Sequence, residues 1–293
     1  MKKIFFSIVA LIAVTGLILT SFSSCKSGGR KKNIGLQLYS IRDSIIKDVP
    51  GSIAKVGKMG YKFVEPAGFE NGKFYGMEPA DFKALCQKNG LSVLSSHTGR
   101  PVPDSSNMAE TMAWWDACID AHIAAGAKFI IQSSMGSSAY QSLEGLKSYC
   151  DYFNAVGEKC NAKGIRFGYH NHSKEFSTQF DGITLYDYLV ENTSPSKVMF
   201  EMDLYWVVMG GKNPVDYFNK YPGRFELWHI KDKAEIGASG KMDFPAIFAA
   251  SAKSGMKYGI VEVEEYNFDQ FESCKKSLDF LNAAPYVVMP LKK

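Results

Sequence analysis

Short apolar runs alternate with longer amphipathic stretches along most of this chain. Each run is rich in Ile, Val, Phe and Leu, and the stretch after it repeats apolar residues at the spacing of one helix face. The eight predicted strands are IGLQLYSI (34–41), FVEPAG (63–68), LSVLSSH (91–97), FIIQSSM (129–135), IRFGYHNH (165–172), VMFEMDLYW (198–206), FELWHIKD (225–232) and YGIVEVEEY (258–266). Strands that alternate with helices in this way predict parallel βαβ units.

Glycine marks the end of several predicted helices. It stands just before the next strand in MGYKFV, NGLSVL, AGAKFI, KGIRFG and SGMKYGI, where its tolerance of the left-handed conformation stops a helix. Eight βα units in one domain-sized chain favour a closed (β/α)8 TIM barrel over an open α/β sheet. The first strand lacks a following G-x-G-x-x-G, which disfavours a dinucleotide-binding fold. We therefore expect one TIM-barrel catalytic domain over residues 34–293.

The N-terminal part has a different character. MKK precedes an apolar run from Ile4 to about Thr20, and FSSC then places small residues before Cys25. This pattern is typical of a lipoprotein signal peptide, in which the cysteine is acylated. We expect a signal segment at 1–25, a flexible tether at 26–33, and a lipid anchor in the cell envelope, on the periplasmic side or in the outer membrane. An ordinary signal peptide and an uncleaved anchor are the alternatives.

Charge and cysteine usage exclude other classes of protein. The formal charge of +4 falls to +2 when the two lysines of the MKK start are removed, and no basic stripe follows the tether. Nucleic acid is therefore not an expected partner. The cysteines after Cys25 are odd in number, lack C-x-x-C spacing and lie in predicted helices: Cys86, Cys118, Cys150, Cys160 and Cys274. Structural thiols are expected, not a disulfide framework.

Histidines and acidic residues gather near the carboxyl ends of the predicted strands. Of the five histidines, only His122 falls on a predicted helix, where a packing or surface role is expected. The residues at strand ends are Glu65, His97, His170, His172, Asp203, His229, Glu262 and Glu264. The site of a (β/α)8 barrel lies at this end of its strands, so these side chains are expected to line one site.

Alternation along the strands sorts these side chains by face. Successive residues point to opposite sides of a strand, and the barrel interior receives every second one. The predicted inward set is His170, Asp203, His229 and Glu262, with Glu201 deeper as a structural carboxylate and Glu264 one step above. Two imidazoles and two carboxylates suit Mn²⁺, Co²⁺, Fe²⁺ or Zn²⁺ and leave positions for substrate oxygens. The predicted metal ligands are therefore His170, Asp203, His229 and Glu262.

Two residues beyond this set have two interpretations each. Lys231 lies one inward step past His229, where its ammonium would face a developing oxyanion. A solvated rim lysine or a partner of Asp232 is the alternative. Trp206, at the rim after Asp203, would either present an apolar face to a sugar ring or pack against neighbouring side chains.

Motifs on six of the strands resemble those of the xylose isomerase-like (β/α)8 barrels, often called sugar phosphate isomerases/epimerases. The motifs are GLQLYSIRD, GYKFVEPAG, GIRFGYHNHSKEF, FEMDLYWVVMGG, YPGRFELWHIKD and IVEVEEY, in chain order. The resemblance implies a divalent metal held by strand-end Glu, Asp, His and Glu, and proton transfer beside a sugar carbonyl. Asp203, His229 and Glu262 match the last three ligands.

The first ligand departs from the family pattern. Strand five carries GYHNH where the epimerases have a glutamate that is both ligand and base. His170 is the expected substitute, and His172, one inward step further along the same strand, is the alternative. A histidine-containing fifth strand is similar to that of inosose dehydratases, which remove water from a keto-inositol. Endonuclease-IV-like relatives share the fold but need more histidines, for several zinc ions, than this chain contains.

The expected function is metal-dependent removal of a proton beside the carbonyl of an unphosphorylated sugar, by an isomerase or epimerase. The expected catalytic residues are Glu262, His172 and Lys231, with Glu264 as an alternative base. The residues expected to contact substrate are Gln37, Glu65, His97, Trp206 and Glu264. A keto-sugar or keto-glycoside lyase, including an inosose dehydratase-like enzyme, and a non-catalytic carbohydrate-binding lipoprotein are the alternatives. The expected partners are a small carbohydrate and, through the lipid, a membrane.

Overall fold

Eight parallel strands form the centre of the molecule. The computed structural model describes residues 32–290, so the predicted signal segment, Cys25 and most of the tether lie outside the described residues. The strands are β1 (Ile34–Gln37), β2 (Phe63–Glu65), β3 (Ser92–Val93), β4 (Phe129–Gln132), β5 (Arg166–His170), β6 (Val198–Asp203), β7 (Leu227–Ile230) and β8 (Tyr258–Val261). Their order in the sheet is β3-β2-β1-β8-β7-β6-β5-β4, and every neighbouring pair is parallel.

The sheet closes into a barrel between β3 and β4. The segment after β3 forms a parallel bridge to β4, between His97 and Ile131. The amide of Ile131 donates to the carbonyl of Ser96 at 2.9 Å, and the amide of Thr98 donates to the carbonyl of Ile131 at 2.9 Å. These bonds join the two ends of the strand order, and the predicted (β/α)8 barrel is confirmed.

Helices follow the strands and surround the barrel. One 3-10 helix spans Leu38–Ile41. The α-helices span Arg42–Ile45, Val49–Met59, Pro79–Lys88, Met108–Ala125, Ser138–Gln141, Leu143–Ala162, Lys174–Ser177, Leu185–Glu191, Leu204–Met209, Pro214–Lys220, Phe244–Ala249, Ser251–Ser254 and Gln270–Ala283. Two short antiparallel ribbons pair Phe69–Glu70 with Lys73–Phe74 and Gln179–Phe180 with Ile183–Thr184. Within residues 32–290, no helix has the length and apolar character that crossing a membrane requires.

All eight strands end earlier than the sequence pattern predicts, and at two of them a polar side chain turns the chain. The first predicted strand runs to residue 41, but β1 ends at Gln37, whose side chain accepts a hydrogen bond from the amide of Tyr39. The sixth predicted strand runs to residue 206, but β6 ends at Asp203. The Asp203 carboxylate accepts a hydrogen bond from the amide of Trp206 and caps the helix Leu204–Met209.

An apolar floor sets the depth of the site inside the barrel. It consists of Phe63, Leu94, Phe129, Ile131, Met199, Leu227 and Ile260. A Cβ atom on Gly35 would lie 2.1 Å from the ring of Phe63, so glycine is what leaves room for that ring. Above the floor the inward positions are polar, which places all buried charge of the barrel interior in its carboxyl-terminal half.

The cysteines and His122 pack in the core. The five cysteines among the described residues are buried and form no disulfide. His122 is fully buried, with its ring 4.6 Å from that of Phe69 and 5.0 Å from that of Phe74, and burial lowers its pKa to about 4. The structure thus gives His122 the packing role expected on its helix.

Candidate metal centre and active site

Four of the polar side chains predicted at strand ends meet at one point. Nε2 of His170 lies 3.1 Å from Nδ1 of His229 and 3.6 Å from Oδ2 of Asp203. Nδ1 of His229 lies 3.2 Å from Oε2 of Glu262, and donor atoms from all four residues lie within 4.8 Å of one another. Ligands held about 2.1 Å from one ion are separated by about 3 to 3.5 Å. The arrangement therefore fits a single divalent ion.

Asp203 carries a carboxylate oxygen that a metal ion would satisfy. The residue is fully buried, and its Oδ1 accepts a hydrogen bond from the amide of Trp206 at 2.9 Å. Its Oδ2 has no hydrogen-bond partner among the described residues. A buried charged oxygen is costly unless a cation or a proton meets it, and burial accordingly raises the pKa of Asp203 to about 7. This donor set thus fits a cation.

Asn171 fixes the strand end that carries Asp203. Its Nδ2 donates to the backbone carbonyl of Asp203 at 3.2 Å, and its Oδ1 accepts from the amide of Asp203 at 3.1 Å. No role was predicted for Asn171 from the sequence. Its position between His170 and His172, just after β5, was the available signal.

Glu175 fixes the backbone that carries His172 and was also missed. It is fully buried and accepts hydrogen bonds from the hydroxyls of Tyr169 and Tyr140 and from the amide of His172, the last at 3.1 Å. Burial raises the pKa of Glu175 above its usual range. The buried carboxylate of Glu175 therefore anchors the loop after β5.

His229 connects the candidate metal centre to a second polar layer beneath it. Its Nε2 donates to Oε1 of Glu65 at 2.7 Å, and its Nδ1 faces His170 and Glu262 on the opposite side of the ring. Gln37 donates to the same Glu65 oxygen at 2.8 Å. A carboxylate behind a metal-binding histidine fixes the orientation and tautomer of the ring. Gln37 and Glu65 have no exposed surface, so the structure places these two predicted substrate contacts under His229.

Glu201 completes this lower layer, and His97 extends from it toward the open end of the barrel. Nε2 of His97 lies 2.7 Å from Oε2 of Glu201 and 3.1 Å from Oε1 of Glu65, and its ring stacks on that of His229 with 5.1 Å between centroids. Burial lowers the pKa of His97, but the two carboxylates outweigh it and raise the pKa to about 9. The lower layer is therefore a charged hydrogen-bonded network. Glu201, interpreted from sequence as structural, belongs to it.

Lys231 lies in the wall beside the candidate metal centre. It is 1% exposed, and its Nζ donates to Oε2 of Glu262 at 2.9 Å. The same Nζ lies 2.6 Å from Oε2 of Glu264 and 3.8 Å from Oδ2 of Asp203. Burial opposes the charge, but these carboxylates raise the pKa of Lys231 above its usual value. The alternative partner Asp232 instead accepts hydrogen bonds from loop amides.

A cavity of about 290 Å³ opens above the candidate metal centre. Its lining residues are Tyr39, Ala67, His97, Ser133, His170, His172, Glu262 and Glu264. The ring of His172 lies 5.0 Å from that of His170, and burial lowers the pKa of His172 to about 4, so its imidazole is neutral at pH 7. Half-buried Trp206 stands nearby, with its ring 6.2 Å from that of His172.

A closed parallel barrel with its ionisable side chains at the carboxyl ends of the strands has the architecture of a TIM-barrel enzyme. The profile of the family described as "Xylose isomerase-like TIM barrel" matches residues 53–284. This match includes β2 to β8 and every predicted metal ligand. The chain therefore belongs to the xylose isomerase-like TIM-barrel family.

Three known proteins show which enzymes the chain is similar to. A sugar phosphate isomerase/epimerase from Parabacteroides distasonis is 36% identical, with a TM-score of 0.81 over 88% of this chain and 100% of that one. An inosose dehydratase from Geobacillus kaustophilus is 22% identical over 61% of this chain, and the match spans 60% of the dehydratase's own length. A 3-keto-D-glucoside 4-epimerase from E. coli shares the fold, with 20% identity and a TM-score of 0.66 over 87% and 100% of the two chains.

Proposed function

We propose that this protein is a divalent-metal-dependent enzyme that removes a proton beside the carbonyl group of an unphosphorylated sugar. The observation that carries this proposal is the convergence of two imidazoles and two carboxylates beneath an open cavity. Isomerisation, epimerisation and dehydration of a keto-sugar can all begin with loss of such a proton. The similarity to isomerases, epimerases and dehydratases supports this common first step.

The chain's own residues would hold the ion and keep it in place. His170, Asp203, His229 and Glu262 offer a mixed nitrogen and oxygen set that suits Mn²⁺, Co²⁺, Fe²⁺ or Zn²⁺. An ion bound there supplies a Lewis acid for substrate oxygens. Glu65, 2.7 Å from Nε2 of His229, would keep that ring turned toward the ion.

His172 is the proposed base, and Lys231 is the proposed stabiliser of negative charge. His172 lines the cavity, is neutral at pH 7 and has its backbone amide anchored by Glu175. A neutral imidazole within reach of a carbon acid can accept its proton. The buried ammonium of Lys231 would stabilise the developing oxyanion. Glu264, which pairs with Lys231 at 2.6 Å, is the alternative base.

The charge of the cavity favours a substrate without phosphate. Its eight lining residues include Glu262 and Glu264 but no lysine or arginine. The neighbouring Lys231 is already paired with both glutamates, at 2.9 and 2.6 Å. A phosphate dianion would therefore find no unpaired lysine or arginine among the lining residues of this cavity. A neutral sugar, inositol or glycoside fits better.

Elimination of water is the second candidate outcome. His170 stands where a glutamate is expected in the epimerases, and the chain is 22 to 28% identical to several inosose dehydratases over parts of their length. After proton removal, loss of a hydroxyl from the adjacent carbon would give an enone. Return of the proton would instead give an isomer or epimer.

Incubation with keto-sugars in D₂O tests the proposed function. We expect deuterium at the carbon next to the carbonyl of at least one sugar, detected by mass spectrometry and NMR. An intact skeleton indicates an isomerase or epimerase, and an enone indicates a dehydratase. His172→Gln should slow the exchange by about 10²- to 10⁴-fold, the usual contribution of a general base. A complete lack of exchange across 2-keto, 3-keto and inosose substrates would contradict the proposal and favour a carbohydrate-binding protein.

We also propose that Cys25 carries a lipid that holds the protein at the cell envelope. The support is the sequence pattern MKK, apolar run and FSSC. When the full sequence is expressed in a bacterium, mass spectrometry of the mature protein should show acyl chains on an N-terminal Cys25, and the protein should partition into detergent. Cys25→Ala should abolish both. An unmodified wild-type protein that stays in the aqueous phase would rule the anchor out.

A further inference from the structure

A second cavity adjoins the one above the candidate metal centre. It lies between the loops that follow β3 and β4 and has a volume of about 390 Å³. Thr98 and Arg100 line it from the first loop, and Ser133 and Ser134 line it from the second. Ser133 also lines the cavity above the metal centre. A ligand that extends sideways from the metal centre past Ser133 would therefore enter this second cavity.

Gln132, the last residue of β4, places an unused hydrogen-bond acceptor at the second cavity. Its side chain is 3% exposed and lines the cavity, and its Nε2 donates to the carbonyl of Ser134 at 2.9 Å. Its Oε1 has no hydrogen-bond partner among the described residues. A Cβ atom on Gly99 would lie 2.6 Å from that oxygen, so glycine keeps the space beside it open. The buried acceptor requires a donor such as a hydroxyl group.

We propose that the second cavity is a carbohydrate subsite, which receives a hydroxyl-bearing ring joined to the sugar above the metal centre. Oε1 of Gln132 accepts a hydrogen bond from a hydroxyl of this ring, and the hydroxyls of Thr98, Ser133 and Ser134 offer further partners. The substrate is then a glycoside or disaccharide, not a free monosaccharide. The assignment of the first ring rests on the proposed function; binding in the second cavity rests on Gln132 and its surroundings.

The surroundings of Arg100 favour a hydroxyl ligand over a phosphate. The guanidinium of Arg100 lies over the ring of Trp114, 4.6 Å from its centroid, and 3.8 Å from a carboxylate oxygen of Glu110. Its charge is thus shared with an exposed carboxylate that does not line the cavity. An ionised phosphate would bring only acceptors to Oε1 of Gln132, whereas a sugar ring brings donors as well.

Calorimetric titration of the metal-loaded protein tests the subsite without any turnover. The probes are glucose, maltose, cellobiose, trehalose and sucrose. We expect at least one disaccharide to bind at least about tenfold more tightly than glucose. Gln132→Met keeps the size of the side chain but removes the acceptor, so it should weaken that disaccharide by about 3- to 10-fold and leave glucose unchanged. Gln87→Met, an exposed position on the helix Pro79–Lys88, is the matched control and should change neither.

Three results would overturn the subsite. They are equal binding of glucose and all four disaccharides, unchanged disaccharide binding by Gln132→Met, and tighter binding of glucose 6-phosphate that is lost in Arg100→Met. Tighter binding of glucose 6-phosphate that depends on Arg100 would make the second cavity a phosphate site. Disaccharide binding that depends on Gln132, together with no deuterium exchange, would support the subsite and contradict only the proposed chemistry. Deuterium exchange without disaccharide binding would support the proposed chemistry and contradict the subsite.

Discussion

Asp203→Asn is expected to give a folded protein that binds little metal and exchanges substrate protons about 10³-fold more slowly. The asparagine oxygen can still cap the helix Leu204–Met209, but the charged donor that faces His170 is lost. A Lewis acid contributes several kcal/mol to such a reaction, and about 4 kcal/mol corresponds to about 10³ in rate. Metal content after equilibration with Mn²⁺, by mass spectrometry, and deuterium incorporation measure the two effects.

Asp243→Asn is the matched control for this substitution. Asp243 also caps a six-residue helix, Phe244–Ala249, by accepting a hydrogen bond from the amide of Ala246 at 3.1 Å. It is exposed and is not one of the candidate ligands. Its variant should keep the wild-type metal content and rate. If Asp203→Asn also keeps one ion per chain with wild-type affinity, the ion is not held by this donor set.

Lys231→Met should lower both the stability of the fold and the rate of proton exchange. The substitution leaves Glu262 and Glu264 without the ammonium that lies 2.9 and 2.6 Å from them. Removing one member of a buried ion pair costs about 3–5 kcal/mol, and losing an oxyanion-stabilising group costs about 10²- to 10³-fold in rate. Urea denaturation of the metal-free protein gives the first quantity, and deuterium exchange of the metal-loaded protein gives the second.

Lys147→Met provides the comparison at the surface. Lys147 pairs with Asp151 at 2.8 Å, a similar distance, but the two side chains are 64% and 65% exposed. Exposed pairs contribute about 0–1 kcal/mol, so this variant should unfold near the wild-type urea concentration. An equal loss of stability in the two variants would mean that Lys231 contributes no more than an ordinary surface charge.

The barrel and the inward faces of its strands were predictable because their signals are local. Alternation within single strands placed Asp203, His229 and Glu262 on inner positions, and the structure brings all three together with His170. The family match confirms the fold. The assignment of these side chains as ligands stays a prediction, which Asp203→Asn tests.

Relations between strands were harder to predict. Gln37 and Glu65 end their own strands, as the mouth-lining residues do, but both are fully buried and Glu65 lies behind the ring of His229. Their depth follows from the stagger of neighbouring strands, which no single strand reveals. The cavity beside Gln132 depends on how two loops approach each other, and β4 carries no charged residue that would have marked it.

The double role of Asp203 links the ion to the wall that would receive the sugar. One oxygen of its carboxylate faces His170, and the other caps the helix that carries Trp206. Fixing the first oxygen on an ion also fixes the orientation of the second, and with it the start of that helix. Metal binding and the order of the helix that carries Trp206 are then expected to be coupled.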